Sequence, residues 1–175
     1  MPNIVILTGP PGAGKSTINE ILANRVPNSA LVSCDTLRHM IKNGYADRKS
    51  NEWENQLLLG LKNTVLLSKS FYDNGFNVFL DDIICSKEGV DDYLSALKGY
   101  NLKIFVLLPN KEVVAKRDLE RGEFAMKERA LELHKKFEEF SKTEKRVVVI
   151  DSSNQTPEET AQIIENELKI IPKSF

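Results

Sequence analysis

The segment Gly9 to Thr17 reads GPPGAGKST, and it lies between an apolar run, Ile4-Val5-Ile6-Leu7, and a stretch of helical spacing. Strand, glycine-rich turn and helix in that order confine the chain to folds in which a buried strand delivers its carboxyl end to a helix amino terminus. Gly9, Gly14, Lys15 and Ser16 meet the pattern G-x-x-x-x-G-K-[ST]. Each has a physical task. The glycines let backbone N–H groups close on a polyphosphate, Lys15 adds a mobile positive charge toward the β and γ phosphates, and Ser16 offers a hydroxyl to Mg²⁺. The following helix points its positive end at the same anion. Gly9, Pro10, Pro11, Gly12, Ala13, Gly14, Lys15, Ser16 and Thr17 are therefore the expected nucleotide-binding residues. Ile18, Ile21, Leu22 and Val26 share one helical face, which packs against a sheet.

Short β-rich runs alternate with longer amphipathic stretches along the whole chain, the signature of βαβ units in a parallel sheet. The expected strands are Asn3 to Thr8, Ala30 to Ser33, Asn77 to Asp81, Leu102 to Leu108 and Arg146 to Ile150. Most are nearly continuous apolar runs, as strands covered on both faces require. Helices are expected at Lys15 to Arg25, Thr36 to Asn43, Asn51 to Asn74, Lys87 to Leu97, Lys111 to Glu120, Phe124 to Ser141 and Pro157 to Lys169. The last opens with Thr156-Pro157-Glu158-Glu159, a capping box with proline at the first helical position. No repeat or low-complexity linker divides the chain, and 175 residues make one domain. The net charge of −1 gives no global attraction to nucleic acid or membrane. Cys34 and Cys85 lack partners at metal-ligand spacing, so reduced thiols are expected. No apolar run reaches a membrane span and no charged leader precedes the first strand, so a cytoplasmic location is expected.

A second cluster lies at Ser33-Cys34-Asp35-Thr36-Leu37-Arg38, where a strand ends. In open α/β sheets that edge is where ligands bind. Asp35 is placed to orient an acceptor hydroxyl and take its proton, and Arg38, three residues on, to hold an anionic part of the substrate. The alternative is that Asp35 caps the helix and Arg38 merely pairs with it. His39 and Lys42 are near enough to line the same pocket but are ordinary surface residues in composition. The third strand closes with Asp81-Asp82, and strand alternation sends the two carboxylates to opposite sides. Asp81 is assigned to Mg²⁺ beside Ser16, and Asp82 to the substrate. Arg117 and Arg121, at i and i+4 before Gly122, are candidates to close over the transferred phosphoryl group. A solvated, salt-bridged helix has the same pattern.

These elements, in this order, resemble the small P-loop kinases of the nucleoside monophosphate kinase-like superfamily. Within it the chain is most similar to the chloramphenicol phosphotransferase-like and polynucleotide 5′-hydroxyl kinase-like groups, from Ile4 to Leu168. The resemblance implies an α/β P-loop NTPase fold, three-layer α/β/α, with a five-stranded parallel sheet of order 2-3-1-4-5 and a small helical lid. It implies Asp35 as the base or orienter for the acceptor. Ser33-x-Asp35-x-x-Arg38 is similar to the polynucleotide kinase signature, in which the arginine grips a phosphate. Asp81-Asp82, Arg117-x-x-x-Arg121-Gly122 and Val149-Ile150-Asp151-Ser152-Ser153 look more like the antibiotic phosphotransferases, and Asp81-Asp82-Ile83-Ile84 departs from the Asp-Ala-Thr-Asn of polynucleotide kinases.

Three functions follow as expectations. The first is an ATP- and Mg²⁺-dependent kinase acting on a hydroxyl of a small molecule, with Lys15, Asp35, Arg117 and Arg121 as catalytic residues. The second is the same chemistry on a nucleic-acid 5′-hydroxyl, less favoured because Arg38, His39, Lys42, Arg48 and Lys49 stand among acidic neighbours. The third is a nucleotide-dependent switch or ATPase working through a protein partner. GTP is disfavoured for it, because no Asn-Lys-x-Asp follows the fourth strand. Acceptor identity and oligomeric state are not readable. The acceptor pocket is expected in the Thr36 to Asn74 region, with Trp53, Leu57, Leu58 and Leu61 as either lining or core.

Overall fold

The computed structural model describes residues 1–169. Its strands are β1 (Ile4–Thr8), β2 (Ser29–Ser33), β3 (Asn77–Asp81), β4 (Leu102–Leu107) and β5 (Val148–Ile150). All pairs are parallel and the order is β2-β3-β1-β4-β5, as expected. β1 is central, which is why Ile4, Val5, Ile6 and Leu7 can be apolar without interruption: all four are 0% exposed. Full burial of such side chains stabilises the fold by about 1.5–3 kcal/mol each.

The helices are α1 (Lys15–Arg25), α2 (Cys34–Arg38), α3 (Glu52–Asp73), α4 (Lys87–Ala96), α5 (Lys111–Leu119), α6 (Glu128–Thr143) and α7 (Pro157–Leu168). Strand alternation divides the core into two layers. Ile4, Ile6, Val78, Leu80, Ile104 and Val106 meet Val65 of α3, Tyr93 of α4 and Phe137 of α6. Val5, Leu7, Phe79 and Phe105 meet Ile18 and Leu22 of α1 and Ala161 and Ile164 of α7. The sheet is thus sandwiched between helices, and at its carboxyl edge the segments following β1 and β3 come together, Ser16 with Asp81 and Thr8 with Ile84.

Several boundaries differ from the sequence reading, most by a residue or two, and three of the differences have clear local reasons. α2 ends at Arg38 instead of continuing to Asn43, because the next N–H groups tighten into turns, Met40 to Leu37 O and Ile41 to Arg38 O. α6 begins at Glu128 instead of Phe124. Gly122 at φ +60 leads into a 3₁₀ turn, Gly122–Phe124, and Lys127 at φ +50 interrupts the path before α6. The Lys127 N–H is taken by Asp118 Oδ2 at 2.7 Å. β5 starts at Val148 because the Arg146 N–H donates to the Glu144 side chain at 2.9 Å. The α7 capping box is as read: Thr156 Oγ accepts from Glu159 N, and the Glu159 carboxylate from Thr156 N.

Candidate active site

The loop after β1 is held in shape by its glycines. Gly9, Gly12 and Gly14 adopt φ of +148, +81 and +97, a region that costs other residues. Space is also short. A Cβ on Gly9 would lie 2.3 Å from Leu107 O, and one on Gly12 would lie 2.7 Å from Val114 O of α5. α2, α4, α5 and α7 each start with a side chain accepting a backbone N–H, whereas α1 starts at Gly14 with no such cap. Its first N–H groups are therefore free for an anion.

Lys15 arches back over this loop, donating to Gly9 O at 2.9 Å and Pro10 O at 3.2 Å. Burial holds its ammonium below the usual lysine range, against the pull of Asp81, and Arg121, Asp82 and Asp35 also act on it.

Ser16 Oγ donates to Asp81 Oδ2 at 2.9 Å, so hydroxyl and carboxylate meet at the carboxyl edge of the sheet. Asp82 turns the other way, as strand alternation requires. It accepts from Tyr93 Oη of α4 at 2.8 Å and from Ile83 N at 2.8 Å. Burial raises its pKa above the usual carboxylate range, opposed by the hydrogen bond from Tyr93. A residue not singled out from sequence ties down the segment that follows the two carboxylates. Thr8, at the end of β1 and 0% exposed, accepts from Ile84 N at 2.8 Å and donates to Ile84 O at 3.3 Å.

At α2 the cap is Ser33, whose Oγ accepts from Thr36 N at 3.3 Å. Asp35 is thus released from capping, and its side chain is 67% exposed. His39 Nδ1 stands 2.7 Å from Asp35 O and 3.4 Å from Asp35 Oδ2. Arg38 is far less open, at 12% side-chain exposure. Its guanidinium donates to Tyr45 Oη at 2.8 Å, lies 4.6 Å from the Trp53 ring centre and comes within 3.9 Å of Asp35. Tyr45 stacks on His39 at 5.0 Å and meets Trp53 edge-on at 6.3 Å. Arg48 lies 5.6 Å from the same indole. Trp53 therefore packs against cations, Leu61 joins the core, and Leu57 and Leu58 remain exposed. Where α3 crosses α2, Gly60 is required: a Cβ there would stand 2.7 Å from Arg38 Cγ and 3.3 Å from Cys34 Sγ. Burial, then Asp82, pushes the Cys34 thiol up to about 12, which keeps it protonated and inert. Cys85 is half-buried and also free.

Arg117 of α5 and Arg121, just past its end, have different surroundings. Arg121 Nη1 lies 3.4 Å from Asp118 Oδ1, a buried carboxylate that also receives the Lys127 N–H. Arg117 Nη2 reaches Ser152 O at 3.5 Å and lines a cleft of about 210 Å³ with Gly14, Thr17, Ile18, Gln155 and Pro157. This cleft opens directly off the glycine-rich loop. Asp118, Ser152 and Gln155 were not among the residues selected for the site: the segment after β5 brings Ser152 and Gln155 beside Arg117, and the turn at Lys127 covers Asp118.

A parallel sheet of this order, with a Gly-Lys-Ser loop between its central strand and first helix, defines a small P-loop kinase. The chain matches the chloramphenicol phosphotransferase-like protein family over residues 2–169 and belongs to it. It is a P-loop phosphotransferase. Solved structures of the same fold include the tunicamycin resistance protein of Deinococcus radiodurans, 16% identical over 100% of both chains with a TM-score of 0.75. A sugar kinase from Janibacter sp. HTCC2649 is 18% identical, covering 98% of this chain and 97% of that one, with a TM-score of 0.71. A chain of the Pnkp1/Rnl/Hen1 RNA repair complex is 22% identical over 89% of this chain and 50% of its own, with a TM-score of 0.69. At these identities the likeness is one of fold. No helix among the described residues is long and apolar enough to cross a membrane.

Proposed function

We propose that this protein transfers the γ-phosphoryl group of ATP to a hydroxyl of a small-molecule acceptor. The observation that carries the reading is the geometry of the loop: Lys15 lies over it, bonded to Gly9 O at 2.9 Å and Pro10 O at 3.2 Å, while Ser16 Oγ meets Asp81 Oδ2 at 2.9 Å at the carboxyl edge of the sheet. A polyphosphate bound by the loop would present its terminal phosphoryl group at that edge. The loop N–H groups and Lys15 hold the phosphates. Asp35, exposed and uncapped, orients the acceptor hydroxyl and takes its proton as the new O–P bond forms and ADP departs. Asp82, on the acceptor side with Tyr93, lines the substrate space. Arg121, paired with Asp118 at 3.4 Å, is the cation that stabilises the charge on the equatorial oxygens. Arg117, beside Gly14 and Ser152, suits the nucleoside end, where a guanidinium lies flat on a ring.

The residues present fit Mg²⁺. Ser16 Oγ and the Asp81 carboxylate are hard oxygen donors already joined at 2.9 Å, and they would hold the ion together with phosphate and water. Bound there, the ion neutralises charge on the β and γ oxygens. A small acceptor is favoured over a polynucleotide because Arg38 and Arg48 are both turned onto Trp53 and contribute little to a backbone-binding groove.

The test is acceptor-stimulated ADP release over a panel of sugars, hydroxylated metabolites and antibiotics, with a 5′-hydroxyl oligonucleotide as a separate arm. Asp35→Asn is expected to lower the stimulated rate by about 10²–10⁴-fold without a matching loss of ATP affinity. Full activity in that variant, or stimulation by the oligonucleotide alone, defeats the proposal.

A further inference from the structure

An arginine on an open segment sweeps a wide volume, and Arg121, just past the end of α5, has a side chain 44% exposed. Its partner is the opposite. Asp118 is 1% exposed, and its carboxylate is divided between two groups: Oδ2 accepts the Lys127 N–H at 2.7 Å, and Oδ1 faces Arg121 Nη1 at 3.4 Å. A buried carboxylate with one neutral donor is strongly disfavoured until a cation completes its shell, so the burial of Asp118 keeps Arg121 beside it.

The anchor itself has little room to move. Gly12 of the glycine-rich loop lies against Asp118, such that a Cβ on Gly12 would stand 3.1 Å from Asp118 N and 3.4 Å from Asp118 Cβ. The arginine is therefore held at a point fixed relative to the phosphate loop. Both ends of the segment between α5 and α6 also meet on this one side chain. Arg121 opens the segment and Lys127 closes it, and the backbone turns at Gly122, φ +60, and again at Lys127, φ +50. A guanidinium carries several N–H donors in one plane, and the pairing with Asp118 takes Nη1. The others remain for an oxygen of a transferring phosphoryl group.

We infer that Asp118 is a positioning residue: it holds one nitrogen of Arg121 so that the rest of the guanidinium faces the phosphoryl group in the transition state. This rests on the reading of Arg121 as the cation on that group.

Titration calorimetry on the full chain with Mg²⁺ compares ATP, ADP, and ADP with aluminium fluoride, a mimic of the phosphoryl group in transfer. Asp118→Asn keeps the shape and an acceptor for the Lys127 N–H but removes the charge that Arg121 meets. It is expected to weaken the ADP–fluoride complex about tenfold or more, and ATP by about threefold or less. In an Arg121→Ala background the same change is expected to move ADP–fluoride affinity by no more than about twofold. A merely structural Asp118 would weaken the complex equally in both backgrounds. Arg121→Lys has a single nitrogen for both partners and is expected to match Arg121→Ala within about threefold. Because it alters an exposed side chain, it answers the question if the thermal melt shows Asp118→Asn unfolded. Equal losses in the two backgrounds, an unchanged ADP–fluoride affinity in folded Asp118→Asn, or full affinity in Arg121→Lys overturns the inference. Failure of wild type to bind ATP removes the phosphate-loop reading instead. Wild type that binds ATP but prefers ADP–fluoride no more than ADP removes the role of Arg121, and the inference with it.

Discussion

Gly12→Ala isolates the coupling between the phosphate loop and α5. Two costs add at this position. At φ +81 an alanine loses about 1–2 kcal/mol against the left-handed backbone, offset by about 0.4–1 kcal/mol from a less flexible unfolded chain. The added Cβ would also stand 2.7 Å from Val114 O and 3.1 Å from Asp118 N, backbone atoms of α5 that cannot rotate away. Forced overpacking of this kind costs about 1–3 kcal/mol. Gly44 provides the control, since it has φ +82 and nothing within 4 Å of its virtual Cβ. Gly44→Ala therefore carries the backbone cost alone, and the difference between the variants is the contact, about 2 kcal/mol. For a chain of this size about 3 °C accompanies each kcal/mol, so Gly12→Ala should melt roughly 6 °C below Gly44→Ala. Because α5 carries Arg117 and leads directly into Arg121, nucleotide affinity should fall in Gly12→Ala only. Equal melting temperatures by circular dichroism, with equal ATP affinities, would refute the argument that α5 rests on the loop at Gly12.

Asp81→Asn keeps the shape at Ser16 but removes the charge, and the Mg²⁺ concentration that half-activates turnover should rise about 10–100-fold, read from a metal titration at saturating ATP. Glu165 of α7 is 0% exposed, neither carboxylate oxygen has a partner among the described residues, and burial raises its pKa above 4.5, with Arg25 pulling weakly the other way. A raised carboxyl favours folding below its unfolded value and loses that contribution as pH climbs through the folded value. Glu165→Leu should accordingly raise stability at pH 7 by about 1–3 kcal/mol and by less near pH 4, measured by denaturant unfolding at both pH values. A gain independent of pH would show that the carboxyl is not the cause.

How far the sequence reaches depends on the range of the interaction. The β1 to α1 unit was legible because its glycines, its apolar run and its helical face are all local, and all three appear as read. Strand alternation was enough to separate Asp81 from Asp82, which do face Ser16 and Tyr93 respectively. The surroundings of Arg38 were not legible. Its partners, Tyr45 and Trp53, arrive on a loop and a helix whose approach is set by tertiary packing, so a cation that reads as open proves to be 12% exposed. Asp118 was passed over for the same reason. It reads as one more charge on a solvated helix, yet it is 1% exposed because the chain turns at Lys127 and returns over it. The start of α6 was misplaced with it, since apolar spacing continues through the interruption that a positive φ at Lys127 makes.

On the proposed reading, in which α2 and α3 border the acceptor, Gly60 gives that side a fixed gauge. The Arg38 stem and Cys34 sulfur occupy the notch it leaves, so α3 cannot slide along α2 without driving a methylene into its own backbone. On that reading, changes of acceptor come by exchanging side chains along the two helices and the loop between them, at places such as Tyr45 and Trp53, while the distance between those helices stays as it is. A lineage diverging from this chain would be expected to vary in the colour of its pocket wall long before it varies in its width.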